Sequence, residues 1–176
     1  MTKLPILLDV IILLAVTTAG FFDFRWKRIP NWLVLVTLLS ALIWHSATDG
    51  LTGLWMSAAG LLVGIAILFP FFLVRGMGAG DVKFFGAVAA AVTFKYVFSV
   101  LFFSAMIAGA MAVGRIIWEK AVIVTLLRMV DLFNWFGRGH LKPHPIMSVA
   151  NTSALAVPFG VSIAVGTWIF IFFGMQ

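Results

Sequence analysis

Long runs of apolar residues dominate the chain and limit what it can fold into. The runs that are candidate membrane spans are Leu4–Phe22, Ile29–Trp44, Leu51–Val74, Val82–Val92, Tyr96–Ile117 and Ser153–Phe173. A helix needs about 20 mostly apolar residues to cross a bilayer, and the short fourth run nears that length when extended from Gly80 to Phe94. Backbone groups in lipid must pair within their own segment. The sequence therefore predicts an all-α polytopic membrane protein with about six transmembrane helices.

The composition leaves no room for a separate soluble domain. Of the 176 residues, 63% are hydrophobic and 10% are charged, against roughly 25% charged in soluble domains. We therefore expect a single membrane-embedded domain over residues 1–176. The net charge of +6 is attributed to the flanks of membrane spans rather than to nucleic-acid binding. The chain has no cysteine, which excludes disulfides, thiol catalysis and cysteine-ligated zinc.

The distribution of basic residues predicts the topology. Ten of the twelve Lys and Arg residues follow the first, third and fifth runs, and only Lys3 and Lys95 fall on the other side. Because positive charge collects on the cytoplasmic side, we expect these ten residues to be cytoplasmic and both termini to face outward. The same orientation puts Asp23 and Asp81 on the cytoplasmic side.

The segment 118–152 differs from the spans. Between Trp118 and Trp135, four charged residues are spaced so that apolar residues dominate one helical side. This pattern predicts a helix lying in the cytoplasmic interface, followed by a turn-rich loop.

Two acids at helix ends are the best candidates for chemistry. Asp23 follows the first run and Asp81 precedes the fourth, on the same predicted face of the membrane. If the two helices are neighbours, the carboxylates meet and share a proton near neutral pH. Such a pair suits peptide hydrolysis, because one carboxylate deprotonates water while the other acid protonates the carbonyl oxygen. The pair titrates as a unit, so neither residue is given a separate role.

The other four acidic residues are not predicted to be catalytic. Asp49 belongs to an outer turn, and Glu119 and Asp131 are expected to be solvated. Asp9 is read as an interfacial or hydrogen-bonded polar residue, although an acid inside a membrane is by default a functional candidate.

Glycines precede the second acid. Gly76, Gly78 and Gly80 leave the backbone before Asp81 without Cβ atoms, so that an extended substrate can approach closely. The alternative is a plain interhelical turn.

Other catalytic motifs are missing from the sequence. It contains no H-E-x-x-H, no G-x-S-x-G and no P-loop. His140 and His144 lie in the turn-rich loop without a third ligand nearby and are read as solvated. We expect neither a metal nor a cofactor.

Three stretches resemble one protein family. The stretch GMGAGDVK, Gly76–Lys83, resembles the G-x-G-D motif of the type IV prepilin peptidases, which are polytopic aspartic endopeptidases. DFRWKRIPN, Asp23–Asn31, resembles the first motif of that family, and AVPFGVSIAVG, Ala156–Gly166, is similar to its proline-containing final helix. The resemblance implies that Asp23 and Asp81 are the catalytic pair of a six-helix protein that cleaves at the cytoplasmic side.

Further residues are expected to shape the site beside Gly78 and Gly80. Pro30 and Asn31 would set the start of the second span, since proline favours the first helical turn. Pro158 would kink or unwind the sixth span near the acids. Lys83 and Arg25 are candidates for binding an acidic group of the substrate or a phospholipid phosphate.

The resemblance is to the short, Flp or tight-adherence form of the family. Larger members carry a cysteine-containing cytoplasmic insert with methyltransferase activity, for which this chain has neither the cysteines nor the room between its first two runs. The implied partners are membrane lipid and a prepilin-like substrate, with a basic leader ending in Gly followed by a hydrophobic helix. A preflagellin or a pseudopilin is an alternative substrate.

Two alternatives to a peptidase stay open. Asp23 and Asp81 could carry protons or cations in a small transporter or channel component. The chain could also be a non-enzymatic partner in a pilus or secretion assembly, in which case losing either acid would leave its function intact.

Overall fold

The computed structural model of the chain describes residues 6–73, 77–118 and 158–173. All regular secondary structure in these residues is helical, which confirms the all-α prediction. The helices are α1 (Ile6–Trp26), α2 (Asn31–Leu73), α3 (Ala79–Trp118) and α4 (Phe159–Phe173). The predicted interfacial helix and loop lie outside the described residues beyond Trp118, as do Gly76, His140 and His144.

The prediction of six separate transmembrane helices is not confirmed. The second and third apolar runs merge in α2, and the fourth and fifth merge in α3. By length and composition α1, α2 and α3 could each cross a membrane, while α4 is a shorter apolar helix. Each long helix is interrupted by one residue of non-helical conformation.

The chain folds back on itself within α2. The interruption is Gly50, with φ 61° and ψ −140°. Nε2 of His45, before it, lies 2.9 Å from the carbonyl oxygen of Ala91, and Oγ of Ser57, after it, donates over 2.9 Å to that of Ala90. Residues 45 and 57 would be about 18 Å apart along a straight helix. Since they reach adjacent carbonyls, the two arms of α2 form a hairpin.

A second fold-back lies within α3, at Thr93, with φ 61° and ψ 165°. Beyond it, the Tyr96 ring lies 5.4 Å from that of Phe170, near the end of α4. Met111 accepts a hydrogen bond of 3.6 Å from Ser162, near the start of α4. The arm 94–118 therefore runs antiparallel to α4 and returns to the end of the molecule from which α3 began.

The first arm of α3 is the centre of the core. Every residue from 84 to 92 is buried, which is expected of a segment that is apolar on all sides. Small residues bring the neighbouring helices close to one another. Gly64 packs against Ala89 and Gly86, and a Cβ atom on Gly20 would lie 3.1 Å from that of Ala164. Such close contacts are typical of helix packing in membranes.

Candidate active site

The carboxylate of Asp23 lies at the end of α1 and is bound by the start of α4. Its side chain is only 5% exposed. The backbone N–H of Gly160 donates to Oδ2 over 2.7 Å, and the N–H of Val161 also donates to the carboxylate. The first N–H groups of a helix have no partner within it and carry a partial positive charge, so a helix N-terminus binds an anion well. The N-terminus of α4 therefore fixes Asp23.

Gly160 makes this contact possible because it has no side chain. A Cβ atom built on it would lie 2.9 Å from both Cβ and Oδ2 of Asp23, closer than real Cβ atoms approach. The helix start can reach the carboxylate only with glycine at this position.

The second carboxylate, Asp81, is in the first turn of α3 and is half-buried. It accepts a hydrogen bond from the backbone N–H of Gly78, the residue immediately before the helix. This is the acidic half of a capping box, in which the third helical residue reaches back to the N-cap. A Cβ atom on Gly78 would lie 3.2 Å from Oδ2 of Asp81, so the glycine gives the carboxylate space.

The two carboxylates are near neighbours. The charge of Asp23 acts directly on Asp81. The connection between α1 and α2 contributes to this arrangement, because Ile29 is buried against Gly80, 3.7 Å from the position of a Cβ atom there. The sequence made the pairing conditional on the two helices being neighbours, and the charge of Asp23 acts on Asp81 across that junction.

The basic residues near the two carboxylates differ in their contacts. Arg25 and Lys83 are both exposed, and the Arg25 guanidinium lies 5.9 Å from the centroid of the Trp26 ring. It is Lys27 whose charge acts on Asp23. Lys27 has φ 51°, and its N–H donates over 2.8 Å to the carbonyl of Asp23, so that the chain turns sharply after α1.

The two predicted prolines stand directly before helices. α2 begins at Asn31, and the carbonyl of Pro30 accepts bonds from the N–H groups of Leu33 (3.1 Å) and Val34 (3.4 Å). Pro158 immediately precedes α4 and lies two residues from Gly160. The upstream part of the predicted sixth span, 153–157, lies outside the described residues.

Sequence reasoning missed the two amides that bind Asp23. The stretch Ala156–Gly166 contains both Gly160 and Val161, but the sequence predicted a role only for Pro158. The available signal was a glycine two residues after a helix-starting proline, where the free N–H groups of a helix lie.

Among the described residues, no other acid joins the pair. Asp9 is 9% exposed and its Oδ1 atom has no hydrogen-bond partner among the described residues, but it lies roughly 21 Å from Asp23 along α1. Within the described ranges, no three His, Asp or Glu side chains are grouped so that they could hold a metal ion.

Residues 10–113 match the model of the type IV leader peptidase family. This is more than half of the chain, and it includes both carboxylates. The chain belongs to the type IV leader peptidase family. No curated protein and no solved structure shows a significant match to it.

Membership of the leader peptidase family makes the chain a protease by family and, with its three long apolar helices, a membrane protein. The match ends before α4. The family match therefore does not include α4, and the contact between α4 and Asp23 is known from the fold alone.

Proposed function

We propose that the chain is a membrane aspartic endopeptidase that removes the leader from prepilin-like precursors. The observation that supports the proposal is that the charge of Asp23 acts on Asp81, while the N-terminus of α4 binds the buried carboxylate of Asp23. In a peptidase of this kind, one carboxylate takes a proton from water, which attacks the scissile carbonyl carbon. The other carboxyl group protonates the carbonyl oxygen, which gives a tetrahedral intermediate. The proton taken from water then passes to the leaving nitrogen, the hydroxyl proton returns to the other carboxylate, and the C–N bond breaks as the carbonyl re-forms. Both roles belong to the pair jointly.

The proposal includes six membrane crossings by one domain. The two fold-backs divide the described residues into six apolar segments, namely α1, two arms each of α2 and α3, and α4. A straight helix as long as α2 would measure about 64 Å, twice the hydrocarbon core, so two arms suit a bilayer better than one rod.

The site would face the cytoplasm. Arg25, Lys27 and Arg28 lie beside the carboxylate pair, and Lys95 lies next to the Thr93 fold-back at the opposite end. Positive charge favours the cytoplasmic side of an inner membrane. Arg25 and Lys83 are exposed there and available to lipid phosphate or to an acidic group of the substrate.

The proposed activity is proteolysis without methylation. Residues 27–30 alone connect α1 and α2, which leaves no room for an insert between them. A mature pilin made only in the presence of this protein should have an unmethylated N-terminus, which mass spectrometry would check.

The test is co-expression with a candidate precursor and detection of leader loss on a gel. Asp23→Asn and Asp81→Asn keep the shape and hydrogen-bonding oxygen of each side chain but remove the charge and the acid. Removing either half of a pair that works as a unit should lower processing ~10³-fold or more. Asp49→Asn is the matched control, because Asp49 is exposed next to the Gly50 fold-back and should process normally.

Processing by both variants would refute the carboxylate pair as the catalytic machinery. The transporter and assembly-partner alternatives would then be favoured.

A further inference from the structure

A groove on the outer surface of the bundle runs between α1 and α4. Its volume is about 370 Å³ and it is open to the surface. Its floor is the close contact between Gly20 and Ala164, and Phe21, Phe24 and Trp168 stand along its sides. The two phenylalanine side chains are 61% and 73% exposed.

The groove is suited to an apolar occupant. The polar side chains at its outer end already have partners, because Nε1 of Trp168 donates over 2.9 Å to Oγ1 of Thr17, which itself donates over 2.6 Å to the carbonyl of Leu13. A polar occupant would gain no hydrogen bond there. Phe21 and Phe24 are exposed on this face. If α1 and α4 cross the bilayer as proposed, the face meets lipid and the occupant of the groove comes from within the bilayer.

The inner end of the groove is continuous with the carboxylate pair. Phe24 directly follows Asp23, and Val161, which lines the groove, donates its N–H to the Asp23 carboxylate. From Val161 to Trp168 the groove covers two helical turns, about 10 Å. A molecule lying along it has one end beside Asp23.

We propose that this groove binds the first two turns of the precursor's apolar helix, immediately after the bond that is cut. The inference rests on the proposed function. A helix is about 10 Å wide with its side chains, so it cannot enter a groove of this volume whole. It lies along the opening and inserts side chains spaced at i, i+3 or i+4, and i+7, as in other helix-in-groove contacts. The groove would therefore select for apolar residues at those positions.

The first experiment fills the groove without touching the carboxylates. Val165 lines it and is 38% exposed, so Val165→Trp occupies the space from one side. Val113→Trp is the control, because Val113 is 56% exposed on α3 and does not line the groove. The substrate is a precursor with a lysine-rich leader ending in Gly and a Leu/Ala helix of about 20 residues.

For this precursor, Val165→Trp should raise KM about tenfold with kcat unchanged, which is the signature of lost uniform binding. Val113→Trp should leave both constants unchanged. A short peptide that covers the cleavage site but lacks the helix should be cut equally by wild type and Val165→Trp, which shows that the variant is folded. An unchanged KM for the helix-bearing precursor would overturn the proposal.

The second experiment detects contact between the groove and the precursor helix directly and does not depend on cleavage. The chain has no cysteine, so Val165→Cys and Val113→Cys are single-cysteine variants. Each cysteine variant also carries Asp81→Asn, so that the precursor is not cleaved. It is mixed with precursors that carry one cysteine within the first eight residues of the helix and is then oxidised with copper phenanthroline. Cross-links to Val165→Cys should recur every third or fourth position, and Val113→Cys should give none.

Equal cross-linking to both variants, or none to Val165→Cys as when lipid alone fills the groove, would overturn the groove as the binding site. Cleavage by wild type without selective cross-links refutes the groove and leaves the proposed function standing. Selective cross-links with a precursor that wild type does not cut refute the proposed function and leave the groove standing.

Discussion

At the scale of single residues, the position of Asp23 depends on Gly160. An alanine there would place Cβ 2.9 Å from Oδ2 of Asp23, so the start of α4 must move away and its N–H must leave the carboxylate. A displacement of about 1 Å in a catalytic site can cost about 10²-fold in rate. We expect Gly160→Ala to lower kcat/KM for precursor cleavage about 100-fold, measured on enzyme whose membrane insertion equals that of wild type.

The glycines before Asp81 supply the matched comparison. Gly78→Ala should have an intermediate effect, because its Cβ would lie 3.2 Å from Oδ2 of Asp81. Gly80→Ala should have the smallest effect of the three, because its Cβ would meet Ile29 at an ordinary contact distance of 3.7 Å. A larger loss for Gly80→Ala than for Gly160→Ala would contradict this account of how the carboxylates are held.

The same residues show how far sequence reasoning reaches. Asp23 and Asp81 were identifiable because an acid at the end of an apolar run is costly and rare. The amides of Gly160 and Val161 were not, because a backbone N–H looks the same at every position and becomes a ligand only when a helix start is aimed at a carboxylate. The charge of Lys27 on Asp23 was not predicted either, because it depends on the turn after α1 and not on composition.

At the scale of helices, Thr93 is in a conformation suited to glycine. With φ 61° and ψ 165°, it is in a region occupied almost only by glycine, where another residue costs about 1–3 kcal/mol. We expect Thr93→Gly to increase the free energy of unfolding by about 1 kcal/mol, which would appear as a higher Tm in detergent.

The control is Thr48→Gly, at an ordinary helical position in α2, which should lower the Tm because glycine is a poor helix former. If both variants lower it alike, Thr93 carries no strain.

The end of α3's first arm is capped by side chains of α2. Its last carbonyls lose their helical partners at the Thr93 break, and His45 and Ser57 bond to those of Ala91 and Ala90. His45→Ala leaves a buried carbonyl unpaired and should cost about 1–3 kcal/mol of unfolding free energy, measured by denaturant or thermal unfolding. His45→Gln keeps a donor and should recover part of the loss. Equal losses for the two variants would mean that packing, not the hydrogen bond, is what His45 contributes.

The helix boundaries explain why the six predicted helices do not stand as six separate elements. The sequence analysis expected an outer turn around Asp49 and separate spans on either side of residues 93–95. Here the chain reverses through one residue with positive φ, inside what is otherwise continuous helix. A reversal at Gly50 could be predicted from the sequence, because glycine adopts positive φ readily. A reversal at Thr93 could not, because β-branched residues rarely adopt such a conformation. The apolar runs were therefore located well, while the nature of their junctions depended on tertiary contacts.

At the scale of the whole molecule, the two fold-backs make a prediction about sidedness. If every arm crosses the bilayer, Arg28 lies on the same face as the carboxylate pair, while Asp49 and Lys95, which flank Gly50 and Thr93, both lie on the opposite face. Because the natural chain has no cysteine, Arg28→Cys, Asp49→Cys and Lys95→Cys each report on one position without background.

Labelling of these cysteines with a membrane-impermeant maleimide tests the topology. In right-side-out vesicles it should label Asp49→Cys and Lys95→Cys, and in inverted vesicles it should label Arg28→Cys, because the cluster of basic residues is held on the cytoplasmic side. If α2 crossed only once as a single long helix, residue 49 would fall near its middle and resist labelling from either side. If the pattern were reversed, the six arms would stand but the carboxylate pair would face outward, and a precursor leader on the cytoplasmic side could not reach Asp23 and Asp81.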